Sequence, residues 1–81
     1  MKYLAESYLP AAEHDLDALS ARVRAAVEEI APDGVGLRYV EAILVADDEM
    51  CLLVYEADTP DLVRAAGERA GVPCERVMEA T

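Results

Sequence analysis

Three carboxylates stand where carboxylates are least expected. Glu6, Glu41 and Glu56 each interrupt an apolar run of strand character. A carboxylate carried inward on such a run needs a cationic partner, a bound metal or a raised pKa. If instead they face solvent or the sheet edge, Arg38 is the cation placed to pair with one of them. Tyr3, Tyr8, Tyr39 and Tyr55 also fall on predicted strands, where a tyrosine packs its ring and carries its hydroxyl to the rim of a cavity. Glu41, Tyr39 and Tyr55 are therefore the candidate contacts to a bound ligand.

Other chemistries find less to work with. A transition-metal site wants His or Cys at matched spacing, and the chain has one histidine, His14, expected on the polar side of the first helix. Asp47-Asp48-Glu49 reads as a solvated hairpin turn, because the alternating ligands and central glycine of a calcium loop are absent. Cys51 reads as a small buried hydrophobe. Cys74, following Pro73 in a loop, is expected to be more exposed, with no base beside it in sequence. Gly34-Val35-Gly36 is a turn and too short for a phosphate-binding loop.

The elements that must position these residues follow from periodicity. Lys2 to Leu9, closed by Pro10, reads as a strand. From about Glu13, the residues Leu16, Leu19, Val23, Ala26, Val27 and Ile30 recur by threes and fours and form one apolar stripe on a helix. Glu13, Asp15 and Asp17 favour its N-terminal end, and Pro32-Asp33-Gly34 stops it. Two apolar runs, Leu37 to Val45 and Met50 to Tyr55, flank Ala46-Asp47-Asp48-Glu49 and predict a β-hairpin. Thr59 as cap, Pro60 at the first helical position and Asp61 behind it open a second helix carrying Leu62, Val63, Ala66 and Ala70. Gly71 and Pro73 end it, and Val77-Met78 allows a short last strand.

This β-α-β-β-α-β order predicts one α+β domain over residues 1–81 with a ferredoxin-like fold: a four-stranded antiparallel sheet with both helices on one face. Simple alternation puts Leu37, Tyr39, Ile43 and Val45 on one face of the second strand, with Val40, Ala42 and Leu44 on the other. The third strand divides Cys51, Leu53 and Tyr55 from Leu52 and Val54. Both faces are apolar, whereas a solvated face should alternate with polar residues. A second copy of the chain is the economical cover, giving a homodimer of the dimeric α+β barrel type. A chain of 81 residues buries only roughly 60 to 65 % of its unfolded surface, which points the same way.

Seventeen acidic against seven basic residues give a formal charge of −10, which repels nucleic acid and anionic membrane surfaces. No apolar run approaches the ~20 residues that cross a bilayer, and the expected location is cytoplasmic, with both cysteines reduced.

The stretch Asp47-Asp48, then Cys51-Leu52-Leu53-Val54-Tyr55-Glu56-Ala57, then Arg69-Ala70-Gly71-Val72-Pro73, together with Lys2-Tyr3-Leu4-Ala5-Glu6 and Leu9-Pro10, resembles a family of small bacterial proteins. Its best-described type is a nickel-binding homodimer of ferredoxin-like fold. The resemblance implies a divalent metal ion with Glu6 and Glu56 as its metal ligands. Members commonly carry histidines about where Ala42 and Ala66 stand here, so the set that remains is carboxylate and suits Mg²⁺, Ca²⁺ or Mn²⁺ better than nickel.

Two functional readings follow. In the first, a homodimeric binding protein holds a metal ion or small ligand on the open face of the sheet. In the second, a small dimeric α+β barrel enzyme, of cyclase, isomerase or cofactor-free oxygenase type, uses Glu6, Glu41 or Glu56 as general acid or base. A purely structural dimer serving a larger partner is a third arrangement.

Overall fold

The computed structural model describes residues 1–9 and 15–80. Strand β1 runs Lys2–Tyr8, helix α1 Leu16–Ile30, strand β2 Leu37–Val45, strand β3 Met50–Ala57, helix α2 Pro60–Arg69 and strand β4 Arg76–Ala80; one turn of 3₁₀ helix, Ala46–Asp48, joins β2 to β3. The strands lie in the order β2-β3-β1-β4 and every pairing is antiparallel. This is the ferredoxin-like arrangement that the alternation of helical and strand periods predicts.

Local chemistry sets the helix ends. The Asp15 carboxylate accepts the Ala18 N–H at 3.1 Å and closes the first turn of α1. At α2 the Thr59 hydroxyl accepts the Leu62 N–H at 3.4 Å, with Pro60 at the position where its missing N–H costs nothing. Glu13, His14 and Pro10 lie outside the described residues, so the expectations placed on them concern a part of the chain on which the structure is silent.

The two helices pack side by side on one face of the sheet, tied across their surfaces by an ion pair between Arg69 and Glu29. Between helices and sheet lies the core. Leu19, Val23, Ala26 and Val27 come from α1, Val63 and Ala66 from α2, and Tyr3, Ala5, Leu37, Tyr39, Cys51, Leu53, Tyr55 and Ala57 from the strands. Alternation along β1 and β3 is regular, as the apolar pattern predicts.

Strand β2 departs from the expected alternation. Tyr39 stands opposite Tyr55 and Glu41 stands opposite Val54, which leaves Val40 as an extra residue in a β-bulge. The bulge shifts the side-chain parity by one, so Ala42 and Leu44 join Leu37 and Tyr39 against the core, while Ile43 and Val45 turn to the other face. The expected grouping of Ile43 and Val45 with Tyr39 is thus corrected. Its physical cause is that a period of two survives only in an uninterrupted ladder.

Gly67 fixes how closely the loop after α2 can pack. A Cβ at this position would lie 2.8 Å from both the Cys74 sulfur and the Val72 carbonyl oxygen. The loop is held there by the Val72 N–H donating to the Gly67 carbonyl at 2.8 Å. Glycine inside a helix ordinarily costs up to about 1 kcal/mol against alanine, but here the close approach reverses the sign. Gly67→Ala is expected to lower stability by about 2 kcal/mol, as overpacking does. Urea denaturation checks this, and a stabilised variant would contradict the packing.

Candidate functional site

The open face of the sheet gathers the side chains that the helices do not cover. Across β2-β3-β1-β4 its rows read Arg38, Glu56, Lys2, Ala80; then Glu41, Val54, Leu4, Met78; then Ile43, Leu52, Glu6, Arg76; and last Val45, Met50, Tyr8. Its apolar middle is flanked by charge along the first row, at Glu41 on the edge and at Glu6 and Arg76 in the third row. Ile43, on the edge strand, and Tyr8, at the end of β1, are 43 % and 55 % exposed, high for large apolar or aromatic side chains.

All three singled-out carboxylates belong to this face, and their surroundings differ. Glu56 forms an ion pair with Arg38, its cross-strand neighbour, as the position of Arg38 suggested. Glu6 pairs with Arg76 across the β1-β4 ladder at 3.3 Å, and Arg76 also donates to the Met78 sulfur at 2.9 Å. Glu41, on the outer strand, has no ion pair or hydrogen bond from its side chain among the described residues. The Arg38–Glu56 pair is exposed, and an exposed pair contributes about 0–1 kcal/mol; in the second pair Arg76 is exposed while the Glu6 side chain is only 26 % exposed, and the main effect of both is to fix where charge sits on the face.

The carboxylates do not form one metal site within a chain. Glu6 and the cross-strand partner of Glu56, Lys2, are four residues apart on β1, which separates the two acids by about 13 Å along the strands. Each is already engaged with a guanidinium. Among the described residues, no three or more His, Cys, Asp or Glu side chains are grouped to hold a metal ion. The residues present therefore do not fit a shared metal centre in the single chain.

Tyr39 and Tyr55 stand on the opposite, helix-covered face, so the structure does not bring them together with Glu41. Their rings meet edge to face with centroids 5.8 Å apart. The Tyr39 hydroxyl and the Ser20 hydroxyl of α1 share a hydrogen bond of 2.8 Å, and the Arg24 guanidinium lies 5.2 Å from the centre of the Tyr39 ring. Tyr55 is fully buried, and its hydroxyl has no hydrogen-bond partner among the described residues. The equally buried Ser7 hydroxyl lies beside the Cys74 thiol but completes no hydrogen bond of regular geometry with it. Cys74 is half-buried and so more exposed than the fully buried Cys51, as its loop position suggested, and the glycine at 67 lets it sit against α2.

A separate groove of about 390 Å³ lies at the end of the sheet, lined in part by Met1, Gly34, Gly36, Arg38, Glu56 and Asp58. No helix among the described residues is long and apolar enough to cross a membrane.

A sheet of this order, helices on one side and an apolar open face on the other, defines the class: a small α+β protein of ferredoxin-like fold. The chain belongs to the nickel responsive protein SCO4226-like family, whose sequence model matches residues 3–80. A solved structure, that of SCO4226 from Streptomyces coelicolor A3(2), shares the fold with a TM-score of 0.74 at 14 % identity, over 99 % of this chain and 95 % of that one. Among curated proteins, none matches the chain.

The buried phenol and thiols make stability depend on pH. Burial pushes Tyr55 well above its ordinary 10.0, with Cys74, Tyr39 and Cys51 adding to the effect, and burial pushes Cys51 and Cys74 above their ordinary 9.0. A group whose folded pKa is raised stabilises the fold fully below its unfolded pKa and loses that contribution as pH rises toward the folded value. Stability is therefore expected to be level with respect to these groups at neutral pH, to fall above pH 9.0 as the thiols begin to titrate in the unfolded chain, and to fall more steeply above pH 10.0. Tyr55→Phe should shift stability at pH 7 by no more than about 1 kcal/mol, because the hydroxyl it removes is unpartnered, and should flatten the alkaline fall. Denaturation of both proteins across the alkaline range measures it, and an unchanged slope in the variant would contradict it.

Proposed function

We propose that this chain is a binding protein that works as a homodimer, its two copies meeting open face to open face in the manner of dimeric α+β barrels, with a small ligand held between the sheets. The observation that carries this reading is the open face itself: Leu4, Leu52, Val54, Ile43 and Met78 form a continuous apolar field, and charge is confined around it. A monomer has little reason to keep such a field wet, and a two-fold interface is self-complementary by construction. Membership of a family described as nickel responsive supports a binding role rather than a catalytic one.

For the ligand, the residues favour a small organic molecule with an apolar body over nickel. The walls available are aliphatic, Glu6 and Glu56 already hold arginines, and alanines stand at 42 and 66. Hard carboxylate oxygens without imidazole bind divalent ions weakly.

Two measurements test the reading. Sedimentation equilibrium should find the protein dimeric and Ile43→Lys, which sets a charge on the exposed part of the apolar field, monomeric with its secondary structure intact. A variant as dimeric as the parent would contradict the face assigned. Calorimetric titration of chelator-stripped protein with Ni²⁺, Mg²⁺ and Mn²⁺ should give no binding tighter than roughly millimolar. A micromolar nickel site would overturn the preference for an organic ligand.

A further inference from the structure

The open face carries six charged side chains, and four of them cancel in place. Arg38 neutralises Glu56, and Arg76 neutralises Glu6. What remains is one cation and one anion: Lys2 on β1 and Glu41 on β2, neither with an ion-pair partner among the described residues. They are held apart within the chain. Lys2 lies in the row of Glu56, and Glu41 lies two strands away in the next row, so about 10 Å across the strands and about 7 Å along them separate the two positions.

We propose that Lys2 of each copy pairs with Glu41 of the other, and that these two reciprocal ion pairs set the angle and register of the face-to-face dimer. The inference rests on the dimer reading above and deepens it by naming what orients the second copy. Covering the face removes water from both side chains, and a charge desolvated without a partner opposes association, so an arrangement that left them unpaired would be strongly disfavoured. In a two-fold assembly any contact from one residue to another is made twice, once in each direction. One surplus cation and one surplus anion per face therefore satisfy each other completely, leaving no charge over.

The geometry that brings Lys2 over Glu41 is defined. The two-fold axis must lie between the sheets and run over the midpoint of the two positions, which falls on β3 between Glu56 and Val54, with Leu4 close by on β1. The two reciprocal pairs then stand about 6 Å to either side of the axis, inside the interface where water is excluded, with Val54 and Leu4 between them. The axis also runs oblique to the strands, so the two sheets cross at an angle instead of aligning.

Charge reversal tests the pairing. Lys2→Glu and Glu41→Lys are exposed substitutions, and circular dichroism would verify that each variant is folded. Each single variant places two like-charge pairs in the interface and should weaken dimerisation by about tenfold or more, while the double variant, which restores opposite charges in exchanged positions, should return to within about threefold of the parent. Sedimentation equilibrium reads all four proteins. If the parent is dimeric and the single variants are unaffected, or the double variant is as weak as the singles, the pairing is wrong and the face-to-face dimer stands. If the parent is a monomer, the dimer reading fails and the pairing with it.

Discussion

Two helices can cover one face of a four-stranded sheet, and this chain has no more helix than that among its described residues. The second face is left to whatever its side chains attract, which makes its composition the constraint on which the rest depends. Nothing in a monomer's stability asks for Leu4, Leu52, Ile43 and Met78 to be aligned on the side away from the helices, since apolar surface buried against the core is what stabilises it. A small chain with a limited core gains from association, and an apolar field on a flat sheet is the means of achieving it.

The bulge at Val40 connects this constraint to the sequence. Without it, Ile43 and Val45 would face the helices and Ala42 and Leu44 would face out. With it, the larger β-branched side chains enlarge the open field while Ala42 and Leu44 fill the space over α1. Tyr39, just before the insertion, stays on the core side with Leu37, where Ser20 and Arg24 of α1 hold it, and the insertion turns Glu41 outward. One extra residue on an edge strand thus decides both the packing under the helices and the chemistry of the exposed face. Bulges on edge strands also discourage further strand pairing, leaving the face rather than the edge as the surface for association.

Element order, the Thr59 cap and the face-sorting of β3 were legible in the chain because each has a local chemical signal: the stripe from Leu16 to Ile30, the Thr59-Pro60-Asp61 opening, and the regular alternation from Cys51 to Tyr55. The bulge was not, since Leu37 to Val45 is apolar at both parities and either register satisfies the pattern. Glu6, Glu41 and Glu56 were legible as carboxylates on strands, but their partners were only partly so. Arg38 is a neighbour across one hairpin, whereas Arg76 reaches Glu6 through the pairing of the first strand with the last, a contact that only the folded sheet creates. The surplus of Lys2 and Glu41 appears only after those pairs are known.

On this reading of the fold, a second copy covers the open face. Native mass spectrometry of untagged protein purified without added metal tests it most directly, because it reads subunit number and bound mass in one spectrum. The account predicts a species of twice the 8.8 kDa chain mass, with any added mass that of a small organic molecule. A species at the mass of one chain across micromolar concentrations would contradict it.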